Sequence, residues 1–218
     1  MATKKRWRAI FRARLGRMTL SKRRAGSRRI CAHLGALVAA CRPRRLYAFA
    51  PSFPEPDLWA FYRRVLRLGL RPAFPKVRGK RMVFYQVPSF AALKRGAFGI
   101  FEPSRGRRCG PPGRSDLVLV PCLGLDRASG VRLGHGGGFY DRWLADHPRG
   151  IRAGVLFDCQ LARRIPRTKK DAALMGAVTE HGFIEFQFSP FPFGAALDFL
   201  TFRQQIKKSR AALPRGPR

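Results

Sequence analysis

Across residues 5–18 the apolar side chains Trp7, Ile10, Phe11, Leu15 and Met18 recur at spacings of three and four, with Lys and Arg between them. That period predicts an amphipathic helix. Thr19 or Ser21 is a candidate cap for a second helix, which carries Ile30, Leu34, Leu37, Val38 and Cys41 along one side. A short apolar run at 45–50, closed by Pro51-Ser52-Phe53-Pro54, reads as a first strand ending in a rigid loop. A helix is expected from about Pro56, because proline fits a first helical turn, and Gly69 supplies its stop. Residues 70–77 and 81–87 read as two strands around Arg78-Gly79-Lys80, followed by a short helix at 89–94 and a long loop over 96–115. The continuous apolar run at 116–121 is what a central strand covered on both faces requires. Beyond a Gly-rich segment the pattern predicts a helix at 139–146, a strand at 151–157, a short helix near Gln160 and a last strand at 177–179. Alternating strands and helices predict an α/β chain: a single open, largely parallel sheet flanked by helices, with an N-terminal helical pair. One domain is expected over 1–186. The Phe/Pro-rich and basic stretch 187–218 forms an extension to which the pattern assigns no role.

Hydrophobic residues make up 45 % of the 218, so the chain has the material for a core. Charge changes the picture more: 45 Lys and Arg against 12 Asp and Glu give +33. Such a field attracts polyanions and anionic ligands without choosing among them. Because the basic residues are spread along the whole length, nucleic acid is a secondary expectation. Five widely spaced cysteines without a C-x-x-C point to neither a disulfide framework nor a zinc site, and to a reducing compartment. No apolar run approaches the roughly 20 residues needed to cross a bilayer. The N-terminus lacks a secretory core, so a cytoplasmic location and no membrane partner are expected. An Arg-rich start also matches an organellar transit peptide, although a docked first helix is the simpler reading.

The stretch with the most chemistry is Arg132-Leu133-Gly134-His135-Gly136-Gly137-Gly138-Phe139-Tyr140-Asp141, preceded by Val120-Pro121 and Asp126. Strand, Gly-rich turn and helix follow in that order. Glycines let backbone N–H groups approach a phosphate, and a helix start favours negative charge. The loop is neither a Walker loop nor the dinucleotide fingerprint. Arg132 at one end can neutralise phosphate oxygens, and Asp141 in the first helical turn can hold magnesium. Alone, the residues equally permit a Gly-rich turn without ligand and an ordinary first-turn acid.

R-L-G-H-G-G-G-F-Y-D resembles the signature of the 5-formyltetrahydrofolate cyclo-ligases, and the resemblance extends through F-G-I-F-E-P at 98–103 to V-T-E at 178–180. It implies an ATP- and magnesium-dependent ligase that converts 5-formyltetrahydrofolate to 5,10-methenyltetrahydrofolate through an imino-phosphate, and a monomer is expected. It further implies that Lys4, Arg8, Arg132, Gly134, Gly136, Gly137, Gly138, Phe139 and Tyr140 hold ATP. Glu55, Phe53, Phe98 and Tyr140 would meet the folate. Arg132, Tyr140 and Asp141 would be catalytic, with Asp141 and Asp171 on the metal. Two positions depart from the family pattern: Phe139 replaces a tyrosine, and Met175 stands where a second acid is common. The Met175 departure and the charge motivate a competing reading, a family-derived protein of weak or lost activity whose basic surface binds RNA or another polyanion.

Overall fold

Two helices open the chain. In a computed structural model describing residues 3–96, 99–168 and 171–186, α1 spans Lys4–Gly16 and α2 spans Leu20–Cys41. The Thr3 hydroxyl accepts a hydrogen bond from the Arg6 backbone, and Thr19, rather than Ser21, accepts from Lys22. Each satisfies a donor that a helix start leaves without an intrahelical acceptor. Phe11 and Leu15 of α1 are buried, as are Ile30, Leu34, Leu37 and Cys41 of α2, while Val38 only packs against the core.

Strand β1 (Leu46–Tyr47) is shorter than predicted, and α3 (Trp59–Arg67) begins later than Pro56. Between them Glu55 closes a turn onto the Ser52 carbonyl, and the Asp57 carboxylate accepts from the Trp59 backbone, holding the segment out of the helix. The predicted hairpin is β2 (Pro72–Arg78) and β3 (Arg81–Gln86), turned at Gly79 with φ 58°. Within the stretch expected as a loop, β5 (Phe101–Pro103) pairs with β4 (Leu93–Arg95), and β6 (Arg107–Arg108) pairs with β3.

Strand β7 (Leu117–Pro121) lies mid-sheet, as its unbroken apolar run predicts. The chain continues through β8 (Gly124–Asp126), β9 (Arg132–Leu133), α4 (Phe139–Asp146), β10 (Ile151–Val155), β11 (Leu161–Ala162), β12 (Gly176–Thr179) and β13 (Gly182–Glu185). The main sheet runs β13-β12-β10-β7-β1-β2-β3-β6, with parallel pairing from β12 to β2 and antiparallel strands at both edges. The antiparallel β13 and β6 are additions to the predicted parallel sheet. Helices α1 to α3 cover one face and α4 the other, each over its own apolar cluster. Because β1 sits between β2 and β7, the strand order reverses there, and such a switch point opens a crevice at the carboxyl ends of the strands.

A small sheet, β11-β8-β9, carries the Gly-rich loop and receives α1. The buried Phe11 ring lies flat against β8 at Gly124, where an added Cβ would come within 2.0 Å of it. Asp126 organises the following turn: Oδ1 accepts from the Ala128 and Ser129 backbones, and Oδ2 from that of Ile165. In V-T-E, the Thr179 hydroxyl closes the turn between β12 and β13 and Glu180 accepts from the Asp158 backbone, so both have structural partners. Residues 187–218, the expected extension, and Phe98 lie outside the described residues.

Gly124→Ala is therefore expected to displace Phe11 and α1, lowering stability by about 1–3 kcal/mol in urea denaturation.

Candidate active site

Three loops meet at the switch point: the turn after β1, the Gly-rich loop between β9 and α4, and the first residues of α1. Lys4, Arg8 and Arg12 are spaced by four and so share one helix face. From that face the Arg8 Nε donates to the Gly134 carbonyl at 2.9 Å, and its guanidinium lies beside Gly136. Gly136 and Gly138 have φ of 121° and 66°, values that favour glycine, and Gly138 forms the start of α4. Arg132, Gly134, Gly136, Gly138, Arg8 and Asp141 are thus brought together as the motif predicts.

Arg132 is buried from β9. Its Nη2 donates to the Asp141 Oδ1 at 2.9 Å, its guanidinium carbon stands 5.5 Å from the Tyr140 ring centre, and among the described residues its buried Nε has no hydrogen-bond partner. The Tyr140 hydroxyl is likewise buried without a partner. Burial first, and the charge of Glu55 next, hold this phenol protonated far above its usual range. Two unpaired buried polar groups converging on one crevice mark a place where a ligand's polar atoms would be received, since burial without a partner costs free energy.

Glu55 closes the opposite wall. Its Oε2 accepts from the Ser52 backbone at 2.8 Å and hydroxyl at 3.1 Å. Burial pushes the carboxyl above its ordinary pKa, against those hydrogen bonds. His135 reaches to 4.0 Å from Oε1. Burial, then the nearby Arg12, Arg132 and Arg8, lower the pKa of its imidazole, so it meets Glu55 as a neutral ring. His135 and Arg12 carry no role in the motif as read from the sequence, although the four-residue spacing continued from Lys4 and Arg8 leads to Arg12.

Lys4 donates to both oxygens of Asp171 at 2.6 Å. Burial opposes ionisation of that carboxyl, but the Lys4 hydrogen bonds and those from the Thr168 backbone and hydroxyl outweigh it, and its pKa is lowered. Met175 Sδ accepts from the Arg152 backbone at 3.2 Å, so the side chain at the departed position is committed to β10. Phe53 is exposed and stacks at 4.9 Å over Arg23. Phe139 turns its ring to Arg142, 5.1 Å away, and into a cavity beneath α4. Among the described residues no three His, Cys, Asp or Glu side chains form a metal-holding group, and no helix is long and apolar enough to cross a membrane.

The 5-formyltetrahydrofolate cyclo-ligase family model matches residues 1–180. The 5-formyltetrahydrofolate cyclo-ligase of Mycolicibacterium smegmatis is 32 % identical over 151 residues, covering 62 % of this chain and 73 % of the relative. That of Escherichia coli K12 is 39 % identical over 126 residues, covering 56 % and 66 %. The solved 5,10-methenyltetrahydrofolate synthetase of Aquifex aeolicus superposes with a TM-score of 0.74 at 29 % identity, covering 89 % of this chain and 98 % of its own. A second synthetase structure, from Mycoplasma pneumoniae, shares the fold with a TM-score of 0.66 at 18 % identity, over 82 % and 99 %. With the Gly-rich loop, its flanking Arg132 and Asp141 and the strand order in place, the chain belongs to the 5-formyltetrahydrofolate cyclo-ligase family.

Proposed function

We propose that the crevice between β1 and β7 converts 5-formyltetrahydrofolate and ATP to 5,10-methenyltetrahydrofolate, ADP and phosphate. The observation that carries this reading is the gathering of Arg8, Arg12 and Arg132 around the Gly-rich loop, opposite a half-buried Glu55 and a Tyr140 hydroxyl that has no hydrogen-bond partner among the described residues. The relatives named for the folate reaction favour it over a polyanion-binding derivative.

In the reaction the formyl oxygen bonds to the terminal phosphorus of ATP as the bond to ADP breaks. The second bridging nitrogen of the folate then attacks the activated carbon, gives up its proton, and phosphate departs with the carbon–oxygen bond. No protein nucleophile is required; positioning and charge neutralisation carry most of the rate. Arg8, fixed by its Nε on the Gly134 carbonyl, presents its remaining guanidinium N–H groups to phosphate. Arg132 does so from the other side of the loop. Glu55 and Tyr140 receive polar edges of the pterin, and burial of both excludes water from the reacting carbon.

Asp141 and Asp171 would hold magnesium, which when bound supplies positive charge beside the transferring phosphoryl group. Few protein ligands suffice, because this ion keeps waters and substrate phosphates in its shell. Without nucleotide each of these acids neutralises a cation of the phosphate site, Asp141 on Arg132 and Asp171 on Lys4. Phosphate oxygens would compete with these carboxylates for Lys4 and Arg132, and the carboxylates so released would be the protein's contribution to holding the metal.

Three outcomes test this reading. Methenyltetrahydrofolate absorbance should rise only when 5-formyltetrahydrofolate, ATP and magnesium are all present; Asp141→Ala should abolish the rise at saturating magnesium while thermal melting stays near that of the parent. In calorimetry, Asp171→Asn should bind metal-free ATP more tightly than the parent and magnesium-ATP more weakly. An unchanged ratio of the two affinities would remove Asp171 from the metal. If the Glu55 carboxylate receives the pterin, kcat/KM for folate should fall as pH drops through its raised pKa, an acid limb above the ordinary glutamate value, and Glu55→Gln should erase that limb.

A further inference from the structure

The hairpin of β2 and β3 and the edge strand β6 carry a second concentration of positive charge, at one margin of the main sheet. β1 pairs with β2 only at Pro72 and Ala73, so the hairpin runs on and carries its turn about 16 Å beyond that pairing. Arg78, Lys80 and Arg81 at the turn, and Arg105, Arg107 and Arg108 in and before β6, are all exposed. The register decides which of them share a face. Arg78 lies directly opposite Arg81, and Tyr85 directly opposite Arg108. Arg81 and Tyr85 stand four apart on β3 and so point the same way. One face of β2-β3-β6 therefore presents Arg78, Arg81, Arg108 and the half-buried Tyr85, while Met82 and Phe84 turn to the cluster under α4.

This arrangement works against the hairpin. Like charges directly opposite each other on a sheet repel, and among the described residues none of Arg78, Arg81, Arg105, Arg107 and Arg108 makes an ion pair. Two acids border the region without relieving it: Glu102 accepts from the Val77 backbone, and Asp146 of α4 forms no ion pair with these cations. All but Lys80 are arginines, whose flat and weakly hydrated guanidinium suits phosphate oxygens and aromatic faces alike. Arg78 already lies over the Tyr85 ring, 6.0 Å from its centre. A ring set among guanidinium groups matches a strand that offers phosphates and unpaired bases together. A lipid surface would instead call for apolar side chains at the tip of the hairpin, where Gly79 and Lys80 stand.

We propose that this face binds single-stranded nucleic acid, its phosphates on Arg78, Arg81 and Arg108 and a base against Tyr85. The strand is a partner rather than a substrate, and its binding is independent of the folate reaction and of the cations on α1.

The test uses the full chain and fluorescent oligouridylate, followed by anisotropy over a range of salt concentrations. Arg78→Gln, Arg81→Gln and Arg108→Gln combined should weaken binding at least tenfold and make the slope of log affinity against log salt shallower by about 2, the share of three phosphates. Tyr85→Leu should weaken binding about tenfold with the parent's slope, since stacking releases no counterions. Oligothymidylate should show the same dependence, because phosphates and base faces are common to both strands. The triple variant should melt no lower than the parent, a repulsion having been removed. Affinity unchanged in the triple variant overturns the assignment, as does a duplex bound as tightly as the single strand. Competition between oligouridylate and ATP overturns it too, by moving the strand to the crevice. Anionic phospholipid vesicles held through these arginines, with no oligouridylate bound, would make the face a membrane contact instead.

Discussion

The docking of α1 depends on one close approach, the Phe11 ring against the Gly124 backbone. This helix has no acid in its first turn and begins with consecutive cations, which its own macrodipole disfavours. Packing must therefore hold what local electrostatics resists. Phe11 and Leu15 supply that packing, and Arg23 fastens the far end by donating to the Leu15 carbonyl at 2.7 Å and, through its other terminal nitrogen, to Pro54. One guanidinium thus ties the end of the helix carrying Lys4 and Arg8 to the loop carrying Glu55. The two halves of the site are joined by the apolar packing of Phe11 and Leu15 and by the buried Arg23.

Acidic residues are scarce in this chain, and their placement follows from that. Asp116 pairs with Arg45 below β7, Asp126 gathers three backbone donors at the turn before the Gly-rich loop, and Glu180 holds the short helix after β10. These carboxylates serve the scaffold. Asp141 and Asp171 instead neutralise cations that face the crevice, so in a molecule of net charge +33 the free site avoids a concentration of unopposed positive charge. The arrangement is stable without ligand and still exchangeable, because Asp141 and Lys4 keep 23 % and 28 % of their side chains exposed.

Much of the fold was legible where one physical signal dominates. The helical spacing of Trp7 to Met18, the apolar run ending at Pro121 and the Gly79 turn each specify local structure without help from distant residues. What escaped depends on pairing. Residues 101–103 and 107–108 become strands only because β4 and β3 present edges to them, and β13 exists only against β12. Site residues divide in the same way. Arg132, Asp141 and the glycines lie within ten consecutive positions and could be read together, whereas the meeting of Lys4 with Asp171 spans 167 positions, and spacing alone says nothing of it.

The two departures from the family pattern have different structural meanings. Met175 is tied to the neighbouring strand twice: its sulfur accepts from the Arg152 amide, and its own amide donates to the Arg152 carbonyl. A carboxylate there would find the same amide donor and the buried Arg152 beside it, so the methionine replaces a charged acceptor with a weak thioether one. Phe139 keeps the ring and gives up the hydroxyl at a place where the neighbouring surface is Arg142, Phe84 and Trp143. A wall of that composition loses little by the missing oxygen, since stacking and cation–π contact need the ring face alone. Tyr140, one residue on, retains its hydroxyl in a buried position with no hydrogen-bond partner among the described residues. The pair therefore separates two functions, an apolar face toward the cavity and a polar tip toward the reacting crevice, on successive residues of one helical turn.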